Sequence, residues 1–307
     1  MGQVIVAENL SKVYKNVRAV DNLNLSIKKG EIFGFLGLNG AGKTTTIKMF
    51  LDLVRPSQGA CYLNGDKVDK NNPNIWNNVG YMVETPYAYP ELTVKENLQI
   101  IKKLRGLDGK DRVAWIMKKL GLESYENVKA QNLSLGNAQR LGIAKALIHR
   151  PGILLLDEPT NGLDPAGIVE VRKLLLNLSE NEGVTILISS HKLDEISKIA
   201  TKIGIIHEGR LIKLTDLQKI KKELKGWLTL DGKNQAAIYN TLTKSGYGPI
   251  VKEAGVLKVY DKKAINAPEK IASLLVKSKL APSLLKVEEE DLEEFFLRTI
   301  KEGGPRQ

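Results

Sequence analysis

The stretch Gly37-Leu38-Asn39-Gly40-Ala41-Gly42-Lys43-Thr44-Thr45 constrains the fold more than any other part of this 307-residue chain. It follows the apolar run Ile32-Phe33-Gly34-Phe35-Leu36 and precedes a helical pattern from Thr46 to Leu53. A buried strand, a glycine-rich turn and a helix in that order make a phosphate-binding loop, or P-loop. The glycines let successive backbone N–H groups turn inward without Cβ clashes. The start of the helix adds unpaired N–H groups and the positive end of its dipole. Lys43 supplies a mobile charge for the β- and γ-phosphates, and the Thr44 hydroxyl a ligand for Mg²⁺. The prediction is a nucleoside-triphosphate site formed by Asn39, Gly40, Ala41, Gly42, Lys43, Thr44 and Thr45.

A second element fits the same chemistry. Ile153-Leu154-Leu155-Leu156-Asp157-Glu158-Pro159 reads as a strand buried on both faces that ends in two acids. The C-terminal ends of strands are where open α/β sheets place their ligands. One carboxylate, Asp157, can hold Mg²⁺, while Glu158 can polarise an attacking water. His191 stands just past the next predicted strand, Thr185 to Ser189, at the same edge of the sheet. His149 and His207 lack such a placement and read as structural. His191-Lys192-Leu193-Asp194 comes within one residue of the guanine-reading Asn-Lys-x-Asp pattern, but the asparagine is missing.

The rest of the chain reads as two further regions. Residues 4 to 36 are strand-like, and Cys61 to Gly65 forms a hairpin signal. Residues 71 to 78 read as a loop, and Val79 to Val83 as a strand ending at Glu84. Helical spacing over 93–105, 112–120 and 138–149 predicts a helical subdomain inserted in a mostly parallel sheet. A helix is expected from about Thr215 to Leu224. Beyond it the order βαββαβ and a helix predicts a small α/β sandwich, with 288–291 as the acidic start of the last helix. The domains are placed at 1–222, with the helical subdomain at about 85–150, and at 223–307.

Composition narrows the class. No run approaches a membrane span and no secretory signal is visible. The single cysteine, Cys61, rules out an intrachain disulfide and fits a reducing cytosol. The net charge of +11 comes largely from lysines scattered along helices, so no nucleic-acid partner is expected.

Leu133-Ser134-Leu135-Gly136-Asn137-Ala138-Gln139-Arg140 lies between the helical insertion and the acidic strand. With this element the chain resembles the ATP-binding subunits of ABC transporters over residues 1 to about 220. The P-loop, Leu-Ser-x-Gly, Asp-Glu-Pro, Asn161-Gly162-Leu163-Asp164-Pro165 and a histidine occur in that family's order. The resemblance implies an α/β P-loop NTPase of the ABC type, working as a head-to-tail dimer around two ATP molecules. Ser134 and Gly136 would cap the γ-phosphate held by the partner, and Asp164 would carry contacts across the dimer. Tyr14 would stack on adenine, Asp157 would organise Mg²⁺, Glu158 would be the general base, and His191 would bind the γ-phosphate and position the water.

Two departures from the common pattern stand out. Leu135 and Asn137 replace the third and fifth residues of Leu-Ser-Gly-Gly-Gln, and Glu84 replaces a glutamine that ligates Mg²⁺. Both are similar to the exporters that protect against lantibiotics and bacitracin-like peptides. The likeness implies an ATPase subunit of a bacterial exporter, peripheral on the inner face of the membrane under a separate permease. Residues 85 to 92 would meet that permease. A translation or DNA-repair ATPase and an ATP-binding regulatory subunit are the alternatives. The first usually has two cassettes or a long coiled coil, and intact Glu158 and His191 speak against the second.

Overall fold

The computed structural model describes residues 2–84, 87–109 and 111–303. By contact the chain divides into two compact units, one comprising residues up to Leu217 with those from Thr299, the other Gln218–Arg298.

The first unit begins with a hairpin, β1 (Gln3–Tyr14) and β2 (Val17–Lys28), and then β3 (Ile32–Leu36) and α1 (Lys43–Phe50). β4 (Gln58–Leu63) and β5 (Asp66–Lys67) follow, then β6 (Val79–Met82). Three helices come next: α2 (Val94–Leu104), α3 (Arg112–Lys119) and α4 (Leu135–Leu147). β7 (Ile153–Asp157), α5 (Pro165–Glu182), β8 (Thr185–Ser190), α6 (Leu193–Ile196), β9 (Lys202–His207) and β10 (Arg210–Asp216) complete it.

One sheet has the order β10-β9-β3-β8-β7-β6, parallel throughout except for the β9–β10 hairpin. Every residue of β3, β7 and β8 is buried, which is why those strands are continuous apolar runs rather than alternating ones. The second sheet, β2-β1-β4-β5, is antiparallel. Its β2 alternates instead, with Leu23, Leu25 and Ile27 inside and Asn24 and Lys28 outside. Ile47, Met49 and Phe50 of α1 share one core with those residues and with Phe33, Phe35, Leu155 and Leu187. Each of these side chains contributes about 1.5–3 kcal/mol by burial, so the helix behind the P-loop is firmly seated.

Sequence and structure differ at several boundaries here, beginning with α1, expected over 46–53 but spanning Lys43–Phe50. Residues 71–78 contain a short 3₁₀ helix, Pro73–Asn78, because Pro73 suits a first turn and Ile75 is buried in the core. Thr215 and Asp216 end β10, paired with Ile203 and Lys202, so helix α7 starts only at Leu217 and runs to Glu223. α4 starts at Leu135 rather than Ala138, because the Ser134 hydroxyl accepts the Asn137 N–H at 3.3 Å and caps it.

His149 is structural, as its position implied. Burial pushes its ring down to about 4, so it stays neutral and Nε2 donates to the Val79 carbonyl at 3.0 Å. Burial likewise pushes the Cys61 thiol up to about 12, which makes it inert.

The second unit contains β11 (Gly226–Asp231), α8 (Gln235–Lys244), β12 (Ile250–Glu253), β13 (Val256–Val259), α9 (Lys262–Asn266), α10 (Pro268–Lys277) and β14 (Leu284–Glu289). α11 (Leu292–Gly303) comes last, its residues from Thr299 being grouped with the first unit. The antiparallel order is β12-β13-β11-β14, the α/β arrangement anticipated from the alternating pattern. Leu228 pairs with Val259 and Leu230 with Leu257, and this face packs on Ile238, Leu242, Ile271 and Leu275 of α8 and α10. The acidic run 288–291 is split rather than all at a helix start. Glu288 belongs to β14, where the Lys286 ammonium and the Thr229 hydroxyl hold its carboxyl down to about 2. Glu290 is buried against Arg298, with Nε at 2.7 Å. Asp291 alone caps α11, accepting the Glu294 N–H at 2.7 Å while its own N–H donates to the Glu294 carboxylate at 3.1 Å.

Candidate nucleotide site

The site lies where β3, β7 and β8 end side by side. Gly42 caps α1 at φ 106, a left-handed conformation open to glycine, and a Cβ there would stand 2.4 Å from the Ala19 carbonyl oxygen. Lys43 is only 6% exposed. Its Nζ donates to the Gly37 carbonyl at 2.6 Å and the Leu38 carbonyl at 3.2 Å, and lies 3.4 Å from Glu158 Oε1. A cavity of about 280 Å³ is lined by Ala19, residues 39–45, Glu158, Asn161 and His191. Every predicted P-loop residue is therefore on it, together with the predicted base and histidine.

The acids are held by the sheet register. β7 pairs with β8 so that Asp157 stands opposite Ser189. Ser189 Oγ donates to Asp157 Oδ1 at 2.5 Å, and Thr44 Oγ1 donates to Asp157 Oδ2 at 2.7 Å. Glu158 follows with φ 48, a region that non-glycine residues rarely occupy. Its N–H is anchored by the Ser189 carbonyl at 3.2 Å and hydroxyl at 3.1 Å. Its carbonyl accepts from Gln139 Nε2 at 3.1 Å and from the Asn161 N–H at 3.2 Å. Strain of this kind, about 1–3 kcal/mol, persists only where neighbours fix the backbone, and here it turns the carboxylate into the cavity. His191 Nδ1 is 2.9 Å from Glu158 Oε2. With Glu158 ionised, Nδ1 must carry the proton and donate it, which fixes the orientation of the ring.

Other predicted residues stand apart. Tyr14 is 43% exposed at the end of β1, with Lys12 Nζ 4.9 Å from its ring centre, and does not line the cavity. Ser134 caps α4, and Asp164 caps α5 by accepting the Gly167 N–H at 3.0 Å. These two and Gly136 also lie outside the cavity lining. Glu84, at φ 58, has its carboxylate 2.6 Å from Lys48 Nζ rather than in the cavity. Of the predicted permease segment, Thr85 and Pro86 fall outside the described residues. Tyr87 and Tyr89 meet edge-on with ring centres 5.8 Å apart.

Sequence reasoning missed Ser189, Gln139, Asn161 and Lys48. Ser189-Ser190 immediately before His191 was the available signal, since two hydroxyls ending a buried strand need partners. Gln139 and Lys48 carried no signal, because their partners are far away in sequence.

The sequence profile of the ABC transporter family matches residues 20–161. The bacitracin transport ATP-binding protein BcrA of Bacillus licheniformis is 38% identical over 305 residues, covering 99% of this chain and 99% of its own length. The chain belongs to the ABC transporter ATP-binding proteins. This ABC ATPase is also 37% identical to the lantibiotic transport ATP-binding protein SrtF of Streptococcus pyogenes over 67% of its length and 87% of that relative. Among solved structures, the dimeric ATP-binding cassette MJ0796 in a post-hydrolysis state with ADP and Pi resembles it with a TM-score of 0.65. That match has 27% identity over 69% of this chain and 98% of the other. Among the described residues no helix is long and apolar enough to cross a membrane.

Proposed function

We propose that this ABC ATPase drives a separate membrane permease that exports a peptide antibiotic, closing head-to-tail with a second copy of itself over two ATP molecules. The observation that carries the substrate class is the near end-to-end likeness to the bacitracin transport protein, which includes the second unit. Residues 39–45 cradle the phosphates in this reading. Ser134, Gly136 and Asp164 stand outside the lining of their own chain's nucleotide cavity, which suits residues that act on a partner's nucleotide. Tyr14, exposed at the end of β1, is assigned to the adenine.

Thr44 and Asp157 offer adjacent oxygen ligands, the donor set Mg²⁺ prefers when phosphates complete its shell. When bound, Mg²⁺ neutralises charge on the phosphates. Glu158 accepts the proton of the attacking water, His191 holds the Glu158 carboxylate in place, and Lys43 shields it. Glu84 reaches a metal only by leaving Lys48, and an exposed pair of this kind contributes at most about 1 kcal/mol. Glu84→Gln should therefore keep appreciable ATPase activity while its half-saturating Mg²⁺ or its coupling to transport changes. Unchanged Mg²⁺ dependence together with unchanged coupling would remove Glu84 from the metal.

A groove of about 340 Å³ beside β6, lined by Tyr81, Val83, Tyr87, Leu104, Arg105 and Lys145, suits a permease segment. Tyr87 is 71% exposed, so truncating it should not unfold the chain. The paired Tyr87→Ala and Tyr89→Ala substitutions are expected to abolish transport while the isolated subunit keeps its ATPase activity. Lost basal activity would mark the tyrosines as structural instead. The export reading itself is tested by co-expression with its membrane permease in a sensitive host. The expected result is raised resistance to bacitracin or a lantibiotic that Glu158→Gln removes; equal resistance from both forms, or none from either, would overturn it.

A further inference from the structure

The turn between β9 and β10 holds the P-loop from outside the nucleotide cavity. The Gly209 N–H donates to the Ala41 carbonyl at 3.0 Å, and Gly209 is absent from the cavity lining that includes Ala41 and Gly42. A trans peptide points its carbonyl and the following N–H in opposite directions. The bond to Gly209 therefore turns the Gly42 N–H toward the cavity. Gly209 is fixed in its turn by Asp21, whose N–H donates to the Gly209 carbonyl at 2.9 Å. The Asp21 carboxylate accepts from Arg210 Nε, just after the turn, and from Arg18 Nη1, each at 2.6 Å. Asp21 stands on β2 of the antiparallel sheet and Arg210 opens β10 at the edge of the other, so the pair ties the two sheets together beside the loop. Both arginine side chains are mostly exposed, so these ion pairs contribute little to global stability.

We propose that Asp21 and Gly209 are positioning residues for nucleotide binding: Asp21 pins the turn, and Gly209 holds the Ala41–Gly42 peptide with its N–H aimed at the phosphates. The inference rests on the reading above in which residues 39–45 cradle those phosphates. Gly42, at φ 106, leaves that peptide easy to rotate. A rotated peptide would present the Ala41 carbonyl, a negative dipole end, to the nucleotide in place of a donor. The bond from Gly209 removes this freedom before ATP arrives, so less ordering is left to oppose binding.

The test is equilibrium binding of ATP with Mg²⁺ to the full-length chain, with kcat, KM and melting temperature measured alongside. Asp21→Ala should weaken ATP binding about fivefold, the scale of one net hydrogen bond, with KM rising alike and kcat holding. Arg210→Ala should also weaken it. Since one contact can be lost only once, the double variant should bind no more weakly than Asp21→Ala. The two single substitutions change the local charge in opposite senses, and charge alone would tighten triphosphate binding in Asp21→Ala. A loss shared by both therefore reports the geometry of the loop. Arg210→Lys, whose ammonium can still reach Asp21, should bind ATP as the parent does. Gly209→Ala puts a Cβ 3.0 Å from the Ala19 carbonyl oxygen at φ 80, and should act in the same direction as Asp21→Ala. A purely structural role would lower the melting temperature of Asp21→Ala and leave its ATP affinity unmoved. That result, a kcat that falls while KM holds, or losses that multiply in the double variant would overturn the proposal. The cradle reading fails separately, if Lys43→Ala binds ATP as tightly as the parent. If Lys43→Ala binds weakly while Asp21→Ala binds as the parent does, only the roles of Asp21 and Gly209 fall.

Discussion

Glu158→Gln is expected to lower ATP turnover by about 10²-fold or more, the scale of a lost general base, while the nucleotide stays bound. The amide keeps the shape that Lys43 and His191 surround, 3.4 Å and 2.9 Å away, so the cavity should not collapse. What disappears is the basicity needed to take a proton from water, together with a negative charge that faces the phosphates. Both changes favour a closed complex that cannot turn over. Light scattering in saturating ATP and Mg²⁺ should therefore show a dimer for the variant where the parent is mostly monomeric. A variant that stayed monomeric, even beside its permease, would contradict the head-to-tail arrangement.

The parts of this molecule that were legible in the sequence are those whose pattern is local. The P-loop is legible because strand, turn and helix are contiguous, and the second unit because its strands and helices alternate in short regular runs. Asp157 and Glu158 could be placed at a strand end from the four apolar residues before them. Their partners could not be placed, because Ser189 reaches Asp157 only through the register of β8 on β7. Gln139 lies on the helix that Ser134 caps, and its bond to the Glu158 carbonyl at the end of the next strand depends on how α4 packs beside β7, which no local pattern encodes. Glu84 shows the same limit. Its departure from the usual glutamine was visible, but the lysine that holds it, one helical turn beyond Thr44 on α1, was not. The start of α4 was read three residues late because Leu135-Gly136-Asn137 is a poor helix sequence, and only the Ser134 cap and the contacts of Leu135 and Gly136 with 161–163 make it helical.

Lys43→Ala should weaken ATP binding roughly 30-fold or more, from the minimum of about 2 kcal/mol for removing one partner of a buried, hydrogen-bonded charge pair. Among the residues lining the cavity, Lys43 is the only lysine or arginine, and Glu158 is the only carboxylate. Removing the lysine therefore has two consequences: a phosphate ligand is lost, and Glu158 is left facing the triphosphate without its counter-charge. The fold should tolerate the change, since the Gly37 and Leu38 carbonyls it releases adjoin an open cavity where water can replace Nζ. Circular dichroism and a melting curve close to the parent's would check this. The two consequences separate in the double variant Lys43→Ala, Glu158→Gln, measured by equilibrium binding of ATP. If Lys43 acts chiefly on the phosphates, neutralising Glu158 recovers only a small part of the lost affinity. Recovery to nearly the parent's affinity would instead make Lys43 chiefly a shield for the base, and the backbone N–H groups of residues 39–45 would then carry the phosphate binding alone.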